Sequence, residues 1–204
     1  RGLADQRLVL IFGRTGFGKS IWSCQTAFET AHHSAREYIG ETLYYTQESS
    51  RDAILRRFVS WRGGVDAALL KTGGAAAGTD DDTRHIARVI AEFDGYPLRV
   101  TRELTKLHEV ESDVRNIATE APIALVVVDH AQAMARAMGG EERLTLAQIA
   151  TSLQCLADDL ECPVILVSQM STDISGASYS MGSRSIDQNA SLIIRIDRGE
   201  PGTT

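Results

Sequence analysis

The stretch "LVLIFGRTGFGKSIW", residues 8–22, decides the fold. An aliphatic run that reads as a buried strand breaks at a glycine-rich turn and continues into a helical pattern. Within it, "GRTGFGKS" at 13–20 fits G-x-x-x-x-G-K-[ST], the loop that cradles nucleotide phosphates between a strand and a helix. Gly13, Arg14, Thr15, Gly16, Phe17, Gly18, Lys19 and Ser20 are therefore the expected nucleotide-binding residues. Glycines let the backbone turn tightly and aim N–H groups at phosphate oxygens, helped by the N-terminus of the following helix. Lys19 would place a point charge on the β- and γ-phosphates, and the Ser20 hydroxyl suits Mg²⁺. ATP with Mg²⁺ is the expected cofactor pair.

Outward from that loop, short aliphatic runs alternate with helical patterns. Candidate strands are 7–12, 42–47, 97–101, 123–128, 163–168 and 191–196. Helices are expected near 19–34, 50–61, 83–93, 106–119 and 145–160. The last is the clearest, because Leu146, Ile149, Leu153, Leu156 and Leu160 recur at three- and four-residue steps. "IALVVV" at 123–128 is apolar without alternation, the mark of a strand buried on both faces of a parallel sheet. The expected fold is α/β, a mostly parallel central sheet flanked by helices. Three stretches read as loops: 71–82, 136–143 and 171–185. The acids Asp80, Asp81 and Asp82 suit the start of a helix better than a metal site.

With 204 residues, 43% hydrophobic and 24% charged, the chain can bury one complete core and has the make-up of a globular protein. A single domain over 1–204 is expected. No apolar run reaches the length of a membrane-spanning helix, and the start does not read as a signal peptide, so a cytoplasmic place without a membrane partner is expected. Cys24, Cys155 and Cys162 are odd in number and lack C-x-x-C spacing, which points to reduced core thiols. The net charge of −6 excludes a protein coated in basic surface; contacts to nucleic acid must be few and local, or multiplied by assembly. The chain opens on Arg rather than Met, which suggests a fragment or processed chain.

Three further positions carry chemistry. "ALVVVDHAQ" puts Asp129 at the end of a buried strand, where a carboxylate can hold Mg²⁺ through water; a turn residue is the plain alternative. "YYTQESS" puts Glu48 just past the second strand. Strand ends of a parallel sheet share one edge, so Glu48 would meet Asp129 and the phosphate loop there and could deprotonate the water that attacks the γ-phosphate. Otherwise Glu48 merely precedes a helix capped by Ser49 or Ser50. "VILVSQMS" puts Gln169 beyond the fifth strand, placed to sense the γ-phosphate and signal to the segment that follows. Lys19, Glu48 and Gln169 are the expected catalytic set, Ser20 and Asp129 the metal set.

Together these pieces resemble the RecA-like motor domain of the DnaB-type hexameric replicative helicases. Glu48 in "TQESS", the "VVVDHAQAM" stretch, "IATSLQCLADDLECPVILVSQ" and "SIDQNASLIIRIDR" match that family's motifs in order over roughly 2–198. The resemblance implies a RecA-like fold and an ATP-driven homo-hexameric ring, with nucleotide between subunits, that threads single-stranded DNA and unwinds duplex in a bacterial or phage-infected cytoplasm. It also implies that loops after the fourth and fifth strands, 135–143 and 171–185, grip the strand through Arg136, Arg143, Ser183 and Arg184.

The chain departs from the family pattern at several points. His130 replaces an aromatic residue. Ser171 and Thr172 stand where an Arg or Asn commonly follows Ser-Gln. Met181 stands where the family carries an arginine, with Arg184 three residues later. The family's arginine-finger hairpin and N-terminal collar would lie outside 1–204, so this piece alone is expected to bind ATP and hydrolyse it slowly. A related RecA-fold ATPase, of recombinase or clock type, and a kinase or nucleotide-gated module without motor activity remain the alternatives.

Overall fold

Strands β1 (Leu8–Gly13), β4 (Ile123–Asp129) and β5 (Val164–Thr172) are the aliphatic runs of the sequence, and apolar side chains on both faces demand cover on both. The computed structural model describes residues 7–67, 70, 80–172, 178–180 and 189–197. With β2 (Glu41–Thr46), β3 (Leu98–Thr101) and β7 (Leu192–Ile196), these strands form a six-stranded parallel sheet in the order β3-β2-β4-β5-β1-β7. A short strand, β6 (Ser178–Ser180), pairs antiparallel with the end of β5, Met170 opposite Ser180.

The two-residue period of a strand sorts the core into two layers. Leu8, Leu10, Leu43, Tyr45, Val126, Val128, Val164 and Leu166 face α4 (Leu107–Glu120), α5 (Ala131–Met138) and α6 (Glu142–Leu160). Val9, Ile11, Tyr44, Leu125, Val127, Ile165 and Val167 face α1 (Lys19–Glu37), α2 (Arg51–Gly63) and α3 (Asp80–Asp94). On that second side Phe28, Phe58 and Phe93 meet edge-on or tilted, with centroids 4.7–5.9 Å apart, and lock the three helices together.

Helix ends follow local chemistry. The Ser50 hydroxyl accepts the Ala53 N–H at 3.1 Å and starts α2. The Glu109 carboxylate accepts the N–H groups of Thr105 and Lys106 ahead of α4. Asp80, Asp81 and Asp82 occupy the first turn of α3, where the helix dipole favours negative charge. In α6, Leu146, Ile149, Leu153 and Leu156 are buried as their spacing predicts.

The structure corrects four expectations. The stretch 136–143 is not one loop: α5 runs to Met138, a turn follows, and α6 already begins at Glu142. The stretch 171–185 opens as strand, with Ser171 and Thr172 continuing β5 and 178–180 folding back on it; 173–177 and 181–188 lie outside the described residues. Helix α1 extends three residues past 34, to a left-handed cap at Tyr38. Cys155 is exposed on α6, whereas Cys24 and Cys162 are buried; all three are free thiols. Of the 71–82 stretch, 71–79 lie outside the described residues.

Candidate nucleotide-binding site

Parallel register gathers the strand ends. Thr46 pairs with Asp129, Asp129 with Val167, and Gly13 with Gln169, so the loop after β1, Glu48, Asp129 and Gln169 share one edge of the sheet. Gly13 must be glycine because a Cβ there would run into the Ile196 carbonyl of β7. Gly18 caps α1 at φ 94°, a left-handed conformation that strains any residue with a Cβ. Arg14, Thr15 and Gly16 are exposed, with Phe17 and Gly18 half-buried, so the loop forms an open rim over the helix N-terminus. That geometry suits an anion.

Lys19 is buried beneath the rim, 7% exposed. Its ammonium donates to the carbonyls of Gly13 at 2.8 Å and Arg14 at 2.9 Å, which uses two of its three N–H donors. Burial holds its pKa below the ordinary lysine range, against the opposing pull of the Asp129 and Glu48 carboxylates.

Asp129 is held from both sides. Ser20 Oγ donates to Oδ1 at 3.1 Å, and the Tyr44 hydroxyl donates to Oδ2 at 2.8 Å. Tyr44 is itself buried; burial first, then the Asp129 charge, drives its pKa well up and keeps it a neutral donor. Ser23 Oγ and Cys24 Sγ pack on the phenol oxygen at 3.1 and 3.3 Å. Because Ser20 gives its proton to Asp129, its oxygen lone pairs stay available to a hard cation, and hydroxyl plus carboxylate is an oxygen donor set that fits Mg²⁺.

The third cluster centres on His130, joined to Asp129 by a cis peptide and 4% exposed. His130 Nε2 lies 2.7 Å from Glu48 Oε1 and 3.3 Å from the Gln169 amide, while Nδ1 accepts the Ala133 N–H at 3.3 Å. Buried Gln132 accepts the Gln169 backbone N–H at 3.0 Å and donates to Ser168 Oγ at 2.9 Å, which fixes the end of β5 against the start of α5.

These features make an open rim suited to an anion, a hydroxyl–carboxylate pair whose chemistry suits a divalent cation, and a half-exposed carboxylate beside them. A model of the DnaB-like helicase C-terminal domain matches residues 1–202. The chain belongs to the DnaB-like helicase C-terminal domain family. The replicative DNA helicase DnaB of Pasteurella multocida is 29% identical over 212 aligned positions, covering 98% of this chain and 44% of that protein. The DnaB of Mycobacterium intracellulare is 28% identical, covering 77% of this chain and 28% of that protein. The chain thus spans less than half the length of these relatives. Among solved structures, the ATPase domain of G40P superposes with a TM-score of 0.79 at 18% identity, covering 96% of this chain and 70% of that one. A KaiC-like protein from Pyrococcus horikoshii gives 0.59 at 17% identity, covering 97% and 74%. The fold is RecA-like α/β.

Within this family fold, Lys19, Ser20, Glu48, Asp129 and Gln169 are brought to one edge of the sheet. Arg136, in the last turn of α5, and Arg143, in the first turn of α6, are both exposed and flank the turn at 139–141. Ser183, Arg184 and Met181 lie outside the described residues. Sequence reasoning missed Tyr44 and gave His130 only the role of a replaced aromatic. A cleft of about 430 Å³ lined by Ser34, Gly40, Tyr96, Pro97 and Pro122 sits at the opposite edge of the sheet. None of Lys19, Ser20, Glu48, Asp129 or Gln169 lines that cleft. Among the described residues, no helix is long and apolar enough to cross a membrane.

Proposed function

We propose that this chain is the ATP-hydrolysing motor domain of a replicative DNA helicase. The observation that carries the reading is the meeting of Lys19, Ser20, Glu48, Asp129 and Gln169 around one sheet edge, in a member of the DnaB-like helicase family. In this reading, Gly13, Arg14, Thr15, Gly16, Phe17 and Gly18 wrap the phosphates with backbone N–H groups. Lys19 moves from its loop carbonyls to the β- and γ-phosphates. Ser20 and Asp129 would hold Mg²⁺, whose charge would help to neutralise the phosphates. Glu48 takes the proton of the attacking water, and Gln169 reports the γ-phosphate to the segment after β5.

The motor is proposed to work as a homo-hexamer in the cytoplasm, with nucleotide between subunits and single-stranded DNA in the channel. Six copies of Arg136, Arg143, Ser183 and Arg184 would face the strand while the outer surface stays negative. That arrangement reconciles a net charge of −6 with DNA binding. The test is ATP turnover by the full chain with and without single-stranded DNA, alongside strand displacement. DNA-stimulated turnover with unwinding is expected. Turnover indifferent to DNA, without strand displacement, would point instead to a RecA-fold ATPase of another function.

A further inference from the structure

We infer that His130 is a positioning residue that aims the Glu48 carboxylate. The inference rests on the proposed role of Glu48 as base. Glu48 has a side chain 56% exposed, so nothing in its burial fixes its rotamer. His130 is the opposite: 4% exposed, wedged between β4 and α5, with both ring nitrogens engaged. Because Nδ1 accepts the Ala133 N–H, the proton of the neutral ring stands on Nε2 and is donated to Glu48 Oε1 at 2.7 Å. One carboxylate oxygen is thus tethered to a rigid ring, and the other is left for a water.

This is the base-and-orienter arrangement of a catalytic dyad, with water as the nucleophile. The Gln169 amide nitrogen lies 3.3 Å from the same Nε2, but an amide N–H cannot accept the ring proton, so Glu48 is the acceptor of the His130 Nε2–H. Lys19 senses Glu48 only through space; His130 touches it.

Two substitutions separate positioning from the helix-capping role of the same ring. His130→Asn keeps an acceptor near the Nδ1 position for Ala133 and loses reach to Glu48. His130→Gln places an amide N–H near the Nε2 position and loses the cap. The full chain is assayed for ATP turnover with single-stranded DNA, for KM and for thermal midpoint. His130→Asn is expected to lose about 10- to 100-fold in kcat, with KM and the midpoint near wild type. His130→Gln is expected to restore most of that kcat while melting several degrees lower. Equal losses in both variants, or normal kcat in His130→Asn, would overturn the inference. Glu48→Gln, run alongside, separates the two levels: if it hydrolyses ATP normally, the base itself is misassigned and the tether falls with it.

Discussion

Lys19 and Asp129 show how individual residues carry the account. Lysine binds phosphate only when protonated, and burial holds Lys19 below the ordinary lysine range. Nucleotide affinity should therefore weaken on the alkaline side earlier than an exposed lysine would dictate. Affinity for ADP measured against pH checks this; a flat profile up to about pH 10 would contradict it. Lys19→Ala should abolish nucleotide binding at millimolar concentrations. Tyr44→Phe removes the donor to Asp129 Oδ2 inside the core. Leaving a buried carboxylate oxygen short of a partner should cost about 1–3 kcal/mol in urea unfolding and raise the Mg²⁺ needed for turnover. Lys19, Ser20 and Asp129 were legible in the sequence because their spacing and strand context are themselves the signal. Tyr44 was not, since "YY" names two tyrosines and only strand parity says which faces α1. Tyr44 goes to Asp129, and Tyr45 goes to the other layer and donates to Asp113 at 2.7 Å. Combining β2 parity with the parallel register of β4 would have singled out Tyr44.

At the scale of elements, the buried strands and the long helices were read to within a few residues, because burial on two faces and three-to-four periodicity leave plain traces. Helix α5 left a fainter one: Ala131, Met134, Ala135 and Met138 recur at helical steps and pack into the core, but the helix has only eight residues and half of that stripe is alanine. The β5–β6 pairing was missed because its two segments, "MST" and "SYS", are three residues each, too short to show a strand period. Element burial also predicts stability. Leu153 on α6 is fully buried, so Leu153→Ala should cost about 2–5 kcal/mol. Leu144 on the same helix is 65% exposed, and Leu144→Ala should stay within about 0.5 kcal/mol. Equal losses from both substitutions would mean α6 packs the other way round.

For the whole molecule, the acidic balance and the DNA reading must coexist. Arg136 and Arg143 are exposed on either side of one turn, and the proposed ring repeats them around a channel. Replacing both by Ala should leave the fold intact, weaken single-stranded DNA binding and reduce its log–log salt slope by about 0.7 for each phosphate no longer neutralised. An unchanged slope would mean that other residues neutralise the DNA phosphates. The account as a whole depends on one triphosphate sitting between the phosphate loop and Glu48. A crystal structure of the full chain with Mg²⁺ and a non-hydrolysable ATP analogue tests that most directly. It should show Lys19 Nζ transferred from the Gly13 and Arg14 carbonyls to phosphate, and the Glu48 carboxylate within hydrogen-bond reach of a water in line with the γ-phosphate. A nucleotide bound with Lys19 still on its carbonyls, or with Glu48 far from the terminal phosphate, would contradict it.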